Sequence, residues 1–318
     1  MIEDMLSGLV PEKFIMDERY RTGHVRIINA LPGRRIMGVH IPEMTVLADE
    51  LVRREDALSM IEAFVRAAEE ESATGRRDIL THEEMMVWGM MINRLKPSCL
   101  ALPEAERLVG SLKVSQPVSR TDLNDRLLDL QLELMRQYVP HIDNWAVCDH
   151  VSSAAKWFAK AVSRSLKPSL SGSLGKKPTG SPESLASGKG LSVVSSRNAS
   201  AGELAERLWQ FLCGYFDSDR EFEVRFAVVM SMCHFMNEEY LPRIFFRFDA
   251  LDFGKIQSEY QSPYYVRMGV AWCLATALAK FPDETRAYLR HSRLPQDVIR
   301  LYVRKARESF RTRDISPF

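Results

Sequence analysis

The chain has 318 residues, 46% of them hydrophobic and 27% charged, so it is long enough to bury a sizeable core. Its formal net charge of +1 excludes a partner selected by an overall excess of one sign. Any electrostatic binding surface must therefore come from local clusters of charge.

The five cysteines are scattered and form neither a CxxC pair nor a Cys/His group at zinc spacing. They are Cys99, Cys148, Cys213, Cys233 and Cys273. We interpret them as reduced, mostly buried thiols, and we expect no metal and no cofactor. No apolar run reaches the roughly 20 residues that cross a bilayer, and the first residues carry acids where a signal peptide carries bases. These features predict a cytoplasmic protein without membrane contact.

Helical patterns dominate the first 140 residues. Residues 1–35 mix short polar and apolar pieces and end at the turn signal Leu31-Pro32-Gly33. Pro42 indicates a helix start, and a second helix is predicted over 55–70. Thr81 and Glu84 form a capping-box pattern before a methionine-rich helix, whose methionines we expect in the core. Further helices are predicted from 102 and over 123–134, before the break at 138–140.

The next stretch predicts one helix over 144–163 and then a change of character. Residues 167–200 are rich in Ser and Gly and nearly free of large apolar side chains, which favours a flexible insertion. A basic arm that tracks phosphates is the alternative interpretation of this segment. Order resumes at 201, and helices are predicted over 204–215, 222–236, 239–248, 263–278, 283–291 and 295–310.

We find no period-2 alternation of useful length, so the sequence predicts an all-α fold. Successive helix pairs of about 35 to 50 residues are typical of a curved α-solenoid of HEAT-like helical repeats. We expect a single domain with N-terminal repeats in 1–166, the insertion in 167–200 and C-terminal repeats in 201–318.

Two side chains in the helix predicted over 144–163 suggest a site. Trp145 and Asp149 are four residues apart, so they share one helix face. An aromatic plane beside a carboxylate suits holding a sugar while opposing positive charge. The alternative is a buried Trp beside a surface Asp.

Basic residues concentrate at the C-terminal end. Arg300, Arg304, Arg307 and Arg311 fall on one helical face at i+4, i+3 and i+4 spacing. A solvated face usually mixes signs, and the planar guanidinium pairs well with phosphate. The stripe favours phosphate contact, with a plain solvated face as the alternative.

Four segments together resemble the DNA alkylation repair family, the HEAT-like-repeat DNA glycosylases of the AlkD type. Residues 35–42 are similar to the family's "GV-x-TP" entry, and 144–149 to its "NWD-x-x-D" motif. Residues 223–230 are similar to its "RR-x-A" helix. The C-terminal signature resembles 264–272 with the later pieces 280–282 and 305–311.

This resemblance implies a protein that grips duplex DNA in the concave face of a solenoid and excises cationic purines alkylated at N3 or N7. It implies that Asp149 is the catalytic carboxylate, that Trp145 and Trp272 contact the deoxyribose, and that Arg225 contacts the backbone. Duplex DNA with alkylated bases is then the partner, and we expect a monomer that needs no metal.

Ala146 departs from the motif, because the family has an acid there. His150 directly follows Asp149, where it could tune the carboxylate or serve as a surface or capping residue. Two alternatives to a glycosylase remain: a HEAT-like protein that recognises DNA shape or damage without cutting, and a protein-interaction scaffold.

Overall fold

The structure, a computed structural model, describes residues 2–109, 120–166, 191–260 and 262–318. In these ranges the chain forms helices and no strand, which confirms the all-α prediction. The helices are α1 (Glu3–Ser7), α2 (Glu12–Met16), α3 (Glu18–Ile28), α4 (Ile41–Leu51), α5 (Ala57–Thr74), α6 (His82–Arg94), α7 (Pro103–Val109), α8 (Arg120–Tyr138), α9 (Trp145–Ala154), α10 (Lys156–Leu166), α11 (Leu191–Phe216), α12 (Glu221–His234), α13 (Leu241–Ala250), α14 (Tyr264–Lys280), α15 (Pro282–Leu289) and α16 (Gln296–Glu308).

Local sequence signals set several helix ends as predicted. Pro42 lies in the first turn of α4, where its missing N–H leaves no helical bond unmade. The Thr81 hydroxyl accepts from the Glu84 amide at 3.1 Å, and the Glu84 carboxylate accepts from the Thr81 amide at 3.0 Å. This confirms the capping box that begins α6.

The single helix predicted over 144–163 is wrong, because the chain bends at Ala155 and forms α9 and α10 instead. Ala155 has ψ 60°, which is outside the helical region. The bend accompanies a change of partners: α9 contacts α6 and α12, whereas α10 contacts mainly α11 and to a smaller extent α12.

The predicted flexible insertion over 167–200 falls partly outside the described residues, which omit 167–190. Residues 191–200 belong to the first turns of α11, so this helix begins well before the predicted residue 204. Extending an existing helix is far easier than nucleating a new one, and the body of α11 supplies the nucleus.

Helix α6 lies at the centre of the N-terminal part of the core. The methionines at 85, 86, 90 and 91 are all buried, as is Trp88, which confirms their predicted place in the core. Four of the five cysteines are also buried, and none is bonded to another.

Six helices lie side by side in a row, and each helix of the row contacts the next one. Successive members of the row are two or three helices apart in the sequence. The row runs α4, α6, α9, α12, α14 and α16. Consecutive helices of the chain pack behind it, for example α10 on α11 and α7 on α8. The row brings helices that are far apart in sequence side by side, and the candidate site lies along its C-terminal half.

Candidate functional site

A groove of about 830 Å³ lies along α9, α12, α14 and the end of α16. Its lining includes Trp145, Asp149, Arg225, Trp272 and Arg311. Five of the eight residues predicted as a site from the sequence therefore meet in one cavity.

Helix α9 presents Trp145 and Asp149 to this groove. The Asn144 side chain caps the helix by accepting from the Val147 amide at 3.1 Å, so α9 starts at Trp145. Four residues later Asp149 lies on the same face, as the spacing predicts. Both side chains are partly buried.

Asp149 is held by Arg225 of α12 in a two-pronged ion pair. Arg225 Nε lies 2.9 Å from Oδ1, and Nη2 lies 2.7 Å from Oδ2. The third prong, Nη1, donates to the carbonyl oxygen of Tyr265 at the start of α14. Burial by itself would lower the pKa of Arg225, but the charge and hydrogen bonds of Asp149 hold that pKa above its usual value.

The sequence prediction that Arg225 contacts a DNA backbone stays a prediction, and the structure shows how few of its atoms are open to the groove. Its side chain is only 4% exposed, and all three of its nitrogens are bonded within the protein. A phosphate contact that keeps this pair could use only the second N–H of Nη1 or Nη2, since the guanidinium has five donors and three are bonded. Within the protein, the guanidinium holds the Asp149 carboxylate.

Two indoles line the groove with this carboxylate. Trp145 donates its Nε1–H to the carbonyl oxygen of Ile27 at 3.1 Å, which fixes the ring plane. Trp272 lies on α14 with its neighbours Met268 and Thr276 one turn away on the same face. Both indoles pack against the core while keeping a surface in the groove.

The predicted basic stripe is divided between two cavities. Arg311 lines the groove together with Lys280 and Lys305, whereas Arg300 and Arg304 line a separate cleft of about 410 Å³. Arg307 is exposed and lines neither cavity. The division follows from the helix end, because Arg311 lies beyond the last residue of α16.

His150 does not meet Asp149. Its Nε2 is buried without a hydrogen-bond partner among the described residues, and burial lowers the pKa of the imidazole. A tuning role for His150 therefore has no contact to support it.

Sequence reasoning did not assign a role to several residues of the groove. Lys280, Tyr264 and Tyr265 belong to α14, and Lys305 and Phe310 lie near the end of α16. Part of this set could have been predicted from the sequence. One face of α14 carries groove residues at every fourth position, namely Met268, Trp272, Thr276 and Lys280.

The part of the chain that the structure describes contains no cluster of three or more His, Cys, Asp or Glu that could hold a metal ion. Nor does any described helix have the length and apolar character to cross a membrane. Comparison with protein-family models, curated proteins and solved structures gives no match. The case for a function therefore depends on the residues and their geometry.

Proposed function

We propose that the protein is a DNA glycosylase that excises purines carrying a positive charge from alkylation at N3 or N7. The observation that carries the proposal is a carboxylate, Asp149, in one groove with the indoles of Trp145 and Trp272. Duplex DNA is the proposed partner, bound by a monomer without metal or cofactor.

The row of helices supports a curved solenoid as the scaffold for this activity. In HEAT-like repeats, one helix of each pair stacks on the equivalent helix of the next pair and forms one face of the curve. The sequential contacts from α4 to α16 follow that pattern. The groove then belongs to the face of the solenoid formed by this row.

The chemistry of the reaction suits this set of groups. The bond from sugar C1′ to the purine nitrogen breaks, and its electron pair leaves with the base and neutralises the charge of the base. Positive charge develops on the sugar, where the Asp149 carboxylate and the electron-rich indole faces stabilise it. Water adds to C1′ and loses a proton. The departing base needs no strong acid, because it is already cationic.

Arg225 has two opposing effects on this chemistry. It fixes the orientation of the Asp149 carboxylate, and each carboxylate oxygen retains a second lone pair for the sugar or for water. It also offsets part of the negative charge that would stabilise the sugar. We therefore expect slower excision than a free carboxylate would give.

The test is base release by folded Asp149→Asn, because the Asn amide keeps the size of the side chain and one of the two oxygens that accept from Arg225. We expect release of N3- or N7-methylpurines from methylated duplex DNA to fall about 100-fold or more. Affinity for the same DNA should change only a few-fold. Chromatography of released bases and a binding titration measure the two quantities.

The matched control is Asp283→Asn, which neutralises an exposed acid that pairs only locally with Arg286. It should release bases at the rate of the unaltered protein. Equal release by Asp149→Asn and Asp283→Asn would contradict the assignment of Asp149.

A second candidate is a HEAT-like protein that binds damaged DNA without cutting it. The closed pair between Asp149 and Arg225 favours it, as does Ala146, which leaves the site without the second acid of the motif. This candidate predicts salt-dependent binding and no release of methylated bases by the unaltered protein.

A further inference from the structure

The chain makes a rigid turn over 309–313, directly after α16. The amides of Thr312 and Arg313 donate to the carbonyl oxygen of Ser309 at 3.0 and 2.8 Å. The Thr312 hydroxyl donates to the carbonyl oxygen of Ala306 at 2.7 Å, and this residue is 1% exposed. Thr312 therefore anchors the turn to the helix, and the backbone around it is well ordered by hydrogen bonds.

The turn presents two adjacent side chains to the groove. Phe310 is 75% exposed, and the guanidinium carbon of Arg311 lies 5.5 Å from the centre of the Phe310 ring. Both residues line the groove that contains Asp149. An aromatic ring so open to water contributes little to the core.

The turn and Asp149 lie toward opposite ends of the groove. Arg267 near the start of α14 pairs with Asp297 near the start of α16, so the two helices run parallel and end near each other. The wall made by α14 extends from Tyr264 to Lys280, a length of about 24 Å at about 1.5 Å per residue. Arg225, which holds Asp149, bonds at the Tyr265 end of this wall.

Cationic side chains share this end of the groove with the exposed ring. Lys280, Lys305 and Arg311 line this part of the cavity, and Glu308 is the one acid among the lining residues there. Lys305 lies 3.2 Å from Glu308, so this pair is close to neutral and two cations remain in excess. A planar apolar ring in a groove that also carries cations is suited to the face of a nucleobase flanked by phosphates.

We propose that Phe310 stacks on an unpaired base of DNA bound in the groove, while Arg311 contacts a neighbouring phosphate. A paired base inside a duplex is covered on both faces, and unstacking it costs a few kcal/mol. An unpaired base offers its face without that cost. The inference depends on the proposed function only in that DNA occupies the groove, and it does not depend on base excision.

The test compares affinities for a matched duplex and for the same duplex with one bulged base. We expect the unaltered protein to bind the bulged duplex about 5- to 100-fold more tightly. Phe310→Ala should remove this preference, and Phe310→Trp should keep it. The control is Phe246→Ala on α13, because Phe246 is 71% exposed but does not line the groove; it should behave like the unaltered protein.

The role of Arg311 has a separate readout. Arg311→Gln should weaken binding to both duplexes and lower the slope of log affinity against log salt by about 1. Arg313→Gln changes an equally cationic residue of the same turn that does not line the groove, and it should leave that slope unchanged.

Two results would overturn the inference: equal affinity of the unaltered protein for both duplexes, or a preference that survives in Phe310→Ala. Base release from methylated DNA, measured on the same proteins, separates this outcome from the proposed function. Preference for the bulge without base release supports stacking and contradicts the glycosylase. Release of methylated bases without a preference for the bulged duplex supports the glycosylase and contradicts stacking by Phe310.

Discussion

At the scale of single residues, the side chain of His82 bears directly on the candidate site although it does not enter the groove. It is 4% exposed, and its Nδ1 lies 3.3 Å from Nδ2 of Asn144, the residue that caps α9. Burial lowers the pKa of His82 to about 4, against the partial opposition of Asp143. His24 and Arg34 also face it and lower the pKa further. The imidazole therefore stays neutral in the folded protein near neutral pH.

Stability should fall between pH 7 and pH 5, in part because of His82. The unfolded chain binds a proton near pH 6.5, whereas the folded protein does so only near pH 4, so acid favours the unfolded state within this window. We expect His82 to contribute a loss of about 2 kcal/mol between the two pH values. Urea unfolding at pH 7 and 5 measures it.

The control for this prediction is His291→Gln, because His291 is exposed. His82→Gln should reduce the difference in stability between the two pH values, while His291→Gln should leave it unchanged. An undiminished difference in His82→Gln would show that other groups carry the pH dependence.

At the scale of helices, Gly89 sets how closely α6 approaches its neighbours. A Cβ at this position would lie 2.4 Å from Val151 Cγ2 of α9 and 2.7 Å from the Tyr138 hydroxyl of α8. No side chain fits without moving backbone or core. The glycine therefore allows the close packing that places α9, with Trp145 and Asp149, in the row.

Gly89→Ala should lower the free energy of unfolding by about 1–3 kcal/mol, because the added methyl overfills a closed contact. The matched control is Gly214→Ala in α11, where nothing lies within 4 Å of the added Cβ. That change should stabilise the protein by up to about 1 kcal/mol through helix propensity. Chemical denaturation measures both, and a stabilising Gly89→Ala would refute the close contact.

At the scale of the whole molecule, hydrogen bonds tie the end of α3 to the first turn of α14 and to the chain just before it. The hydroxyl of Tyr260 donates to the carbonyl oxygen of Asn29 at 2.7 Å, and Asn29 Nδ2 donates to the Tyr265 hydroxyl at 2.6 Å. Asn29 ends α3 in the left-handed conformation, φ 50°. With the bond from Trp145 to Ile27, these contacts hold the end of α3 at the rim of the groove.

Tyr260→Phe should loosen this connection, because it removes one hydrogen bond worth about 1 kcal/mol. We expect amide hydrogen exchange in the last turn of α3 to become about fivefold faster, with little change in α6. Tyr264→Phe is the control, since Tyr264 is 43% exposed and its hydroxyl takes no part in these two hydrogen bonds. Unchanged hydrogen exchange in α3 would contradict the prediction, because the bonds from Asn29 to Tyr265 and from Trp145 to Ile27 would then hold the end of α3 without Tyr260.

The elements were largely predictable because their signals are local. Helical periodicity anticipated α5, α12 and α14, and the capping box located the start of α6. The bend at Ala155 was not predicted, since no Gly or Pro marks it and it depends on the partners of α9 and α10. The start of α11 was missed for a related reason, because a Ser-rich composition does not show that a neighbouring helix can extend into it.

The sequence by itself determined the all-α class, most of the helices and the shared face of Trp145 and Asp149, because each depends on residues within a few turns of one another. Only the tertiary structure decided what these residues meet. Asp149 and Arg225 pair across 76 positions, and the stripe from Arg300 to Arg311 divides between two cavities. Such pairings depend on how α9, α12, α14 and α16 pack, and spacing along one helix carries no information about the side chains of another.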